Sequence, residues 1–227
     1  MRLCVQKPKK RSSKPAGSWS DMLLCDVGNT SYHFYENGQD HKEPVTTFDP
    51  TSVTEPVYYI SVNPDTVDAL SALDNWHDIS PLIAWDKYYE TLGVDRAVLC
   101  EAVDEGIIID AGSAITVDIV RAGVFEGGFI YPGVRAMYKS YSDISSRLDY
   151  SFNFELDLDK MPKNSRDAIS YGYLRTFYSE VMRHKGPIYL TGGYATLFAR
   201  LFKDAVVDQL LIFKGMEKIL NVKGTSC

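Results

Sequence analysis

The chain has 227 residues, of which 45% are hydrophobic and 24% are charged, which is enough for one large or two small domains with real cores. Its formal net charge is −6, and six basic residues among the first twenty leave the remaining chain at −12, which makes nucleic acid a poor partner. No apolar run approaches the roughly 18 residues that span a bilayer, and no apolar segment follows the basic N-terminus, so a cytoplasmic protein without membrane contact is predicted.

The two ends of the chain differ from its body. Residues 1–21 are rich in Lys, Ser, Pro and Gly, which predicts a disordered basic N-terminal extension. A nucleic-acid arm is one interpretation, but a solvated leader, an extension from an upstream start site or a cloning remnant is favoured. Met22 is therefore the working start of the fold, and residues 222–227 are a short tail.

Cysteine spacing indicates neither a metal site nor a disulfide framework. The four cysteines are Cys4, Cys25, Cys100 and Cys227, and no two of them have C-x-x-C spacing. Free, partly buried thiols are expected.

The first folded element is an apolar strand that ends in an Asp-x-Gly turn. Residues 23–27 lead into the segment 26–30, which reads Asp-Val-Gly-Asn-Thr, and a return strand follows with alternating Tyr32 and Phe34. An Asn-Gly turn at 37–38 ends the hairpin, and prolines then punctuate a loose stretch with one short strand at 45–48.

The rest of the first half predicts a strand, a helix and a second short strand. The run 57–62 is strongly β, Asn63 and Pro64 cap a helix over about 65–73, and residues 81–85 are expected to form a short strand. An aromatic and charged stretch leads to Gly93, after which Asp95 and Arg96 begin a helical segment that continues over 97–103. Asp95 is either a helix cap with Arg96 in a surface ion pair, or both residues are functional.

The segment 107–120 repeats the design of the first hairpin. A β-branched run reaches Asp110, turns through Gly112 and Ser113, and leaves as an alternating strand. One Asp-x-Gly turn is usually a plain turn, whereas two copies about eighty residues apart indicate two similar half-molecules that face each other.

The second half continues as alternating strands and helices. A glycine-interrupted strand at 124–133 precedes a helix over 134–147, an irregular connector over 148–161 and a long helix from about 166 to 185. A strand at 188–191 ends in a Gly192-Gly193 turn, which either offers N–H groups to an anion or simply connects strand and helix. A helix to 203, a strand at 210–213 and a helix at 215–221 complete an α/β pattern.

The sequence contains neither a P-loop nor a Rossmann glycine motif. Two Asp-Gly hairpins with a Gly-Gly turn resemble instead the superfamily of actin-like, sugar-kinase and chaperone ATPases. That resemblance implies an α/β fold of two related ribonuclease H-like (actin-like ATPase) domains, residues 22–106 and 107–221, facing a central nucleotide cleft.

Six motifs occur in the order that is found in the short form of type III pantothenate kinase. They are the segments 26–30, 93–96 and 110–116, Gly127-Gly128 with Pro132-Gly133, the segment 165–168, and Thr191-Gly192-Gly193. The resemblance covers essentially all of residues 22–220. It implies ATP-dependent phosphorylation of pantothenate to 4′-phosphopantothenate, the first step of coenzyme A biosynthesis, by a homodimer with a partly shared substrate pocket.

The resemblance also implies a role for each matching residue. ATP would contact Asp26, Val27, Gly28, Asn29, Thr30, Ser113, Gly192 and Gly193. Asp26 would hold Mg2+ through water, and Asp110 would bind a monovalent cation, K+ or NH4+. Pantothenate would contact Tyr89, Gly93, Val94, Asp95, Arg96 and Ser165, with Asp95 as the base.

Some choices stay open. Tyr88 adjoins Tyr89, and either tyrosine could contact substrate. Ser165 and Ser113 stand where the family commonly has Thr, and Ser165 also suits the cap of the long helix. The alternative functions are a non-catalytic regulator of the Bvg accessory factor type and a kinase of another small alcohol.

Overall fold

A computed structural model describes the backbone of residues 22–224 and the side chains of residues 22–221. The predicted extension 1–21, residues 225–227 and two of the predicted free thiols, Cys4 and Cys227, lie outside the described part. Within it, Cys25 and Cys100 are buried free cysteines, as expected. No helix between residues 22 and 224 is long and apolar enough to cross a membrane.

The first half of the chain forms a five-stranded sheet. Its strands are β1 (Leu23–Val27), β2 (Ser31–Glu36), β3 (Gln39–Pro44), β4 (Val57–Ser61) and β5 (Trp76–Asp78). The spatial order is β3-β2-β1-β4-β5, with β1 antiparallel to β2 and parallel to β4. Helix α1 (Pro64–Ser71) connects β4 to β5, and α2 (Val94–Glu101) follows β5 after two single-turn helical segments.

The second half repeats this topology. Its strands are β6 (Gly106–Ala111), β7 (Ala114–Arg121), β8 (Val124–Pro132), β9 (Ile188–Thr191) and β10 (Val206–Val207), in the order β10-β9-β6-β7-β8. Helices α3 (Val134–Ile144) and α4 (Ser165–Val181) lie between β8 and β9, α5 (Ala195–Phe198) lies between β9 and β10, and α6 (Leu211–Gly224) ends the described chain. The two halves therefore share one strand order and one pattern of parallel and antiparallel neighbours, as the repeated Asp-x-Gly hairpin predicts.

Helices α2 and α6 hold the two sheets together. The core cluster that contains them also contains Leu24 and Ile60 of the first sheet and Ile108 and Val120 of the second. A Cβ atom at Gly215 of α6 would overlap the Val98 carbonyl of α2, so glycine permits the close approach of the two helices. This helix pair fixes how the sheets face each other.

The long helix α4 covers the second sheet with the apolar stripe that its sequence predicts. Ile169, Tyr173, Phe177 and Val181 are all buried, and they pack in one cluster with Ile109 and other strand residues. This packing supports the strands from which the second Asp-x-Gly turn projects.

Three predicted strands are wrong. Residues 45–48 form a turn, and the strand lies earlier in β3, whose sequence Gln-Asp-His-Lys-Glu-Pro is entirely polar or proline. Residues 81–85 form parts of single-turn helices, and the short strand is β5. Residues 210–213 are apolar because they begin the buried helix α6, and the strand is β10. A short apolar run does not distinguish a strand from a buried helical turn.

Several predicted helix bounds also change, and α4, for example, ends at Val181 and not near 185. Helix α2 begins at Val94, so Asp95 lies in its first turn, and α6 continues to Gly224, through the first three residues of the predicted tail.

Candidate active site

The two Asp-x-Gly turns meet at one cleft of about 310 Å³ between the two sheets. Asp26 is the penultimate residue of β1, and Asp110 is the penultimate residue of β6. Nine predicted site residues line the cleft: Asp26, Gly28, Asn29, Thr30, Asp95, Asp110, Ser113, Gly192 and Gly193. Equivalent strand ends from the two half-molecules thus converge on one space, which is where ligands bind in folds of this kind.

Three carboxylates give the cleft a strongly acidic floor. Burial and the neighbouring charges of Asp95 and Asp110 raise the pKa of Asp26 to about 7. Burial and the charge of Asp95 raise the pKa of Asp110 to about 6. Because the three groups repel one another, a cation in the cleft would be favoured electrostatically.

Asp95 reaches the cleft from the first turn of α2. Its Oδ1 accepts a hydrogen bond of 2.8 Å from the Arg96 backbone N–H, and burial raises its pKa above the ordinary value. Gly93 is the N-cap residue of α2, so the alternative in which Asp95 caps the helix is wrong. Its carboxylate is placed by the helix N-terminus, where the helix dipole favours a negative charge.

The turns that surround the carboxylates expose short polar groups. Asn29 and Thr30 are exposed after Gly28, whose N–H donates to the Ser31 carbonyl at 3.0 Å. Ser113 is exposed between β6 and β7, opposite the first turn across the cleft. Hydroxyl, amide and backbone groups of this type suit phosphate oxygens.

The Gly-Gly turn after β9 depends on glycine at its first position. Gly192 has φ +85°, and a Cβ atom there would overlap Oδ1 of Asp110. Gly193, in contrast, has no atom within 4 Å of an added Cβ. The first glycine is therefore required by the fold around Asp110, whereas the second leaves space beside the cleft.

Arg96 lies in a buried ion pair. Its guanidinium donates to Asp118 through Nε at 3.0 Å and through the terminal nitrogen at 2.6 Å. Burial disfavours the charged guanidinium, but the hydrogen bonds and charge of Asp118 outweigh that effect, so the pKa of Arg96 is raised. The alternative of a surface pair for Arg96 is wrong, because the arginine is 5% exposed and Asp118 is fully buried.

The remaining N–H groups of Arg96 face Tyr89. The second terminal nitrogen donates to the Tyr89 hydroxyl at 2.7 Å, and Tyr89 is 44% exposed. The Tyr88 hydroxyl instead donates to Glu101 at 3.0 Å and is partly buried against α2. Of the two tyrosines, Tyr89 therefore presents its ring to solvent beside Arg96.

Five predicted site residues do not line the cleft itself, in addition to Tyr89. Val27 is fully buried behind the first turn, and Gly93 and Val94 begin α2 beside Asp95. Arg96 is held in its buried ion pair with Asp118. Ser165 is exposed at the start of α4, and Asn164, not Ser165, caps that helix by accepting from the Asp167 N–H.

Several residues that line the cleft or support it were given no role by the sequence pattern, although two of them lie within its motifs. They are His33, Lys42, Thr116, Thr191 and Gln209 in the cleft, and Asp118 behind it. Asp118 had a detectable signal, because a carboxylate at an inward position of an alternating apolar strand requires a partner. No sequence pattern indicated that Lys42 faces the cleft, because β3 has no alternation of apolar and polar residues.

No cluster of three or more His, Cys, Asp or Glu side chains that could hold a metal ion occurs among the described residues. Mg2+ does not need one, since it is commonly held by one or two carboxylates together with water and substrate phosphates. The carboxylate of Asp26 fits that kind of site, and Asp110 lines the same cleft.

The family model and the curated relatives agree on one family. A family model described as type III pantothenate kinase matches residues 44–184. A type III pantothenate kinase of Sulfurimonas denitrificans is 56% identical over 200 residues, which cover 88% of this chain and 98% of that protein.

Two solved structures extend the comparison. A Campylobacter jejuni protein described as a Baf family transcriptional activator has 35% identity and a TM-score of 0.81, covering 90% of this chain and all of that one. A Sinorhizobium meliloti protein described as a 2-dehydro-3-deoxygalactonokinase has 9% identity and a TM-score of 0.56, with 89% and 99% coverage, and shows the fold alone. The predicted α/β fold of the actin-like and sugar-kinase class is confirmed.

Proposed function

Because this chain belongs to the type III pantothenate kinase family, we propose that it transfers the γ-phosphate of ATP to pantothenate and forms 4′-phosphopantothenate. This reaction begins coenzyme A biosynthesis. The observation that carries the proposal is the convergence of Asp26, Asp95 and Asp110 in one cleft between two equivalent sheets.

In this proposal the nucleotide phosphates lie between the two Asp-x-Gly turns. Gly28, Asn29 and Thr30 contact them from one side and Ser113 from the other, while Val27 supports the first turn from the core. Gly192 and Gly193 lie beside the adenosine, and the open space at Gly193 suits this assignment. Phosphoryl transfer depends mainly on such positioning and charge stabilisation.

Asp95 is the proposed base. An aspartate does not remove a proton from an alcohol in advance, but it can orient the hydroxyl and accept the proton late in a loose transition state. Its raised pKa brings it closer to the operating pH, which favours proton acceptance. Oδ1 already accepts from Arg96, so we assign Oδ2 to the pantothenate hydroxyl.

Two cations complete the proposed phosphate site. Asp26 would hold Mg2+ through water, and Asp110 would hold K+ or NH4+. The cations would neutralise phosphate charge when they are bound, and the raised pKa values of both carboxylates are consistent with a cleft that disfavours its own negative charge.

The substrate end of the site is assigned to Gly93, Val94, Arg96, Tyr89 and Ser165. Asp118 already occupies one edge of the Arg96 guanidinium, so the edge facing Tyr89 is the part left for the pantothenate carboxylate or amide. Ser165 does not line the cleft of its own chain. We therefore assign it to a pocket completed by a second copy in a homodimer. A cytoplasmic location remains a prediction from the sequence.

The decisive test compares two aspartates at the same helical position. Purified protein with ATP, Mg2+ and K+ is expected to phosphorylate pantothenate, and Asp95→Asn is expected to lower kcat by about 10²–10⁴-fold. Asp65→Asn is the matched control, because Asp65 is the second residue of the eight-residue helix α1, as Asp95 is of α2, but it is exposed. ATP binding by both variants should match that of the wild-type protein.

The second candidate is a non-catalytic regulator, favoured by the description of the similar Campylobacter structure. The names of the curated relatives do not favour it. Absence of turnover in K+, NH4+ and Na+ salts alike would support the regulator and overturn the kinase. A kinase of another small alcohol would be recognised by a sugar that competes with pantothenate in the same assay.

A further inference from the structure

The cleft needs positive charge for a polyanionic ligand, and its lining contains little. Among the described residues that line it, Lys42 is the only lysine or arginine, and it faces three aspartates. His33 is the other lining side chain that could carry a positive charge. Burial lowers its pKa despite the neighbouring Asp40, so His33 is neutral near pH 7.

Strand pairing brings Lys42 to the cleft. Asp26 of β1 is directly opposite His33 of β2, which is directly opposite Lys42 of β3. Residues directly opposite each other project from the same face of a sheet, and adjacent strands lie about 4.8 Å apart. Asp26, His33 and Lys42 therefore form one row across the sheet, with Lys42 about 10 Å from Asp26 at the backbone, within reach of a lysine side chain and a phosphate.

The side chain of Lys42 is available to contact a bound ligand. It is exposed, and it has no ion pair within 4 Å to a carboxylate of the described part of the chain. Asp40, the carboxylate of β3 that projects from the same face as Lys42, pairs with His33 Nε2 at 2.8 Å instead. The charge of Lys42 nevertheless acts on the cleft, since it opposes the raised pKa of both Asp26 and Asp110.

The corresponding row of the second sheet contains no cationic residue. The row that contains Asp110 continues to Thr116 on β7 and Ile130 on β8, as the row of Asp26 continues to His33 and Lys42. Of these two rows of strand residues, only the row of the first sheet therefore contributes a lysine to the cleft.

We propose that Lys42 is a phosphate-binding residue whose ammonium group contacts the β- or γ-phosphate of bound ATP, while His33, held by Asp40, spaces it from Asp26. This inference rests on the proposed function for the identity of its ligand. In this arrangement Lys42 offsets phosphate charge that Asp26 and Asp110 would otherwise repel.

The test compares removal of two exposed lysine charges. Lys42→Met is expected to weaken Mg-ATP binding, measured by calorimetry, about tenfold, and to raise KM for ATP similarly with little change in KM for pantothenate. Lys42→Arg should retain most of the affinity. Lys203→Met, which removes an exposed lysine outside the cleft, should leave both constants unchanged.

Adenosine distinguishes phosphate binding from a merely structural role. If Lys42 binds phosphate, Lys42→Met should bind adenosine as the wild-type protein does, and only ATP affinity should fall. Equal losses for adenosine and ATP, or unchanged ATP affinity, would overturn the proposal. Direct binding keeps this test separate from the proposed function, because failure of wild-type protein to phosphorylate pantothenate would leave the ATP and adenosine comparison intact.

Discussion

At the scale of single residues, the buried aspartates that the proposed function requires lower the stability of the folded protein. The native pKa of Asp26, about 7, lies above its value in the unfolded chain, where the carboxyl is solvated. The native state therefore binds more protons than the unfolded state between about pH 4 and 7, and the free energy of unfolding falls as the pH rises through that window. Below it both states are protonated, and the penalty is absent.

Asp26→Asn is therefore expected to stabilise the ligand-free protein at pH 8, because it removes a buried negative charge. The gain should be on the order of 1–3 kcal/mol, and the melting temperature should rise by roughly 2–4 °C for each kcal/mol. The gain should be constant above about pH 7 and should shrink as the pH falls from about 7 to 4. Thermal unfolding followed by circular dichroism at several pH values measures it.

Asp68→Asn on α1 is the control for this comparison, because Asp68 is exposed and remote from the cleft. Its variant should follow the wild-type melting temperature at every pH. A destabilised Asp26→Asn protein at pH 8 would show that the carboxylate makes a favourable native contact and is not repelled by its neighbours.

The site residues differ in how far the sequence could reveal them. Asp26, Asp95 and Asp110 follow from local signals, since each stands beside a glycine turn at the end of a strand or the start of a helix. Lys42 could not be found in this way, because its position depends on the pairing of β2 with β3 and on nothing in its neighbouring residues. Residues that are brought together only by strand register cannot be identified without the three-dimensional structure.

At the scale of elements, the turn between β9 and α5 uses its two glycines differently. Gly192→Ala is expected to destabilise the protein by about 1–2 kcal/mol, because alanine is strained at φ +85° and its Cβ would displace the Asp110 carboxylate. The same displacement should lower turnover and weaken the dependence on K+. Melting temperature and kinetics in graded K+ measure both effects.

Gly193→Ala is the matched variant for this turn, since its Cβ meets no atom within 4 Å. It should fold normally and raise only KM for ATP if the nucleotide lies against this position. Equal stability of the two alanine variants would contradict the proposed support of Asp110 by Gly192.

Elements were predictable where pattern and burial agree. The stripe of α4 follows from its periodicity, because one face of the helix lies on the core. Both Asp-x-Gly hairpins follow from an apolar run that ends at a glycine turn, because β1 and β6 are buried on both faces. The predicted strand at 210–213 was wrong because α6 lies between the two sheets. The first turn of α6 is therefore buried, and its apolar sequence resembles that of a buried strand. Burial of that kind is a tertiary property that no local window contains.

At the scale of the whole molecule, the second sheet has two exposed edges with different surroundings. Ile130 on the edge strand β8 is 63% exposed, and Tyr138 and Ile144 on the following helix α3 are also exposed. The opposite edge strand, β10, exposes only Val206 and Val207. Exposed apolar side chains that adjoin an unpaired edge favour association, and a second copy of the chain is the partner that the proposed function requires.

The proposed homodimer assigns its interface to the β8 edge. Sedimentation should give about 51 kDa, twice the chain mass of 25.5 kDa. Ile144→Glu, on α3 beside that edge, should shift the protein to monomer and raise KM for pantothenate more than KM for ATP, because Ser165 would then lose the pocket that it helps to complete. Val206→Glu places the same charge at the opposite edge and should preserve both mass and kinetics. A fully active wild-type monomer would remove the need for a partner chain, and Ser165 would then have no part in the site.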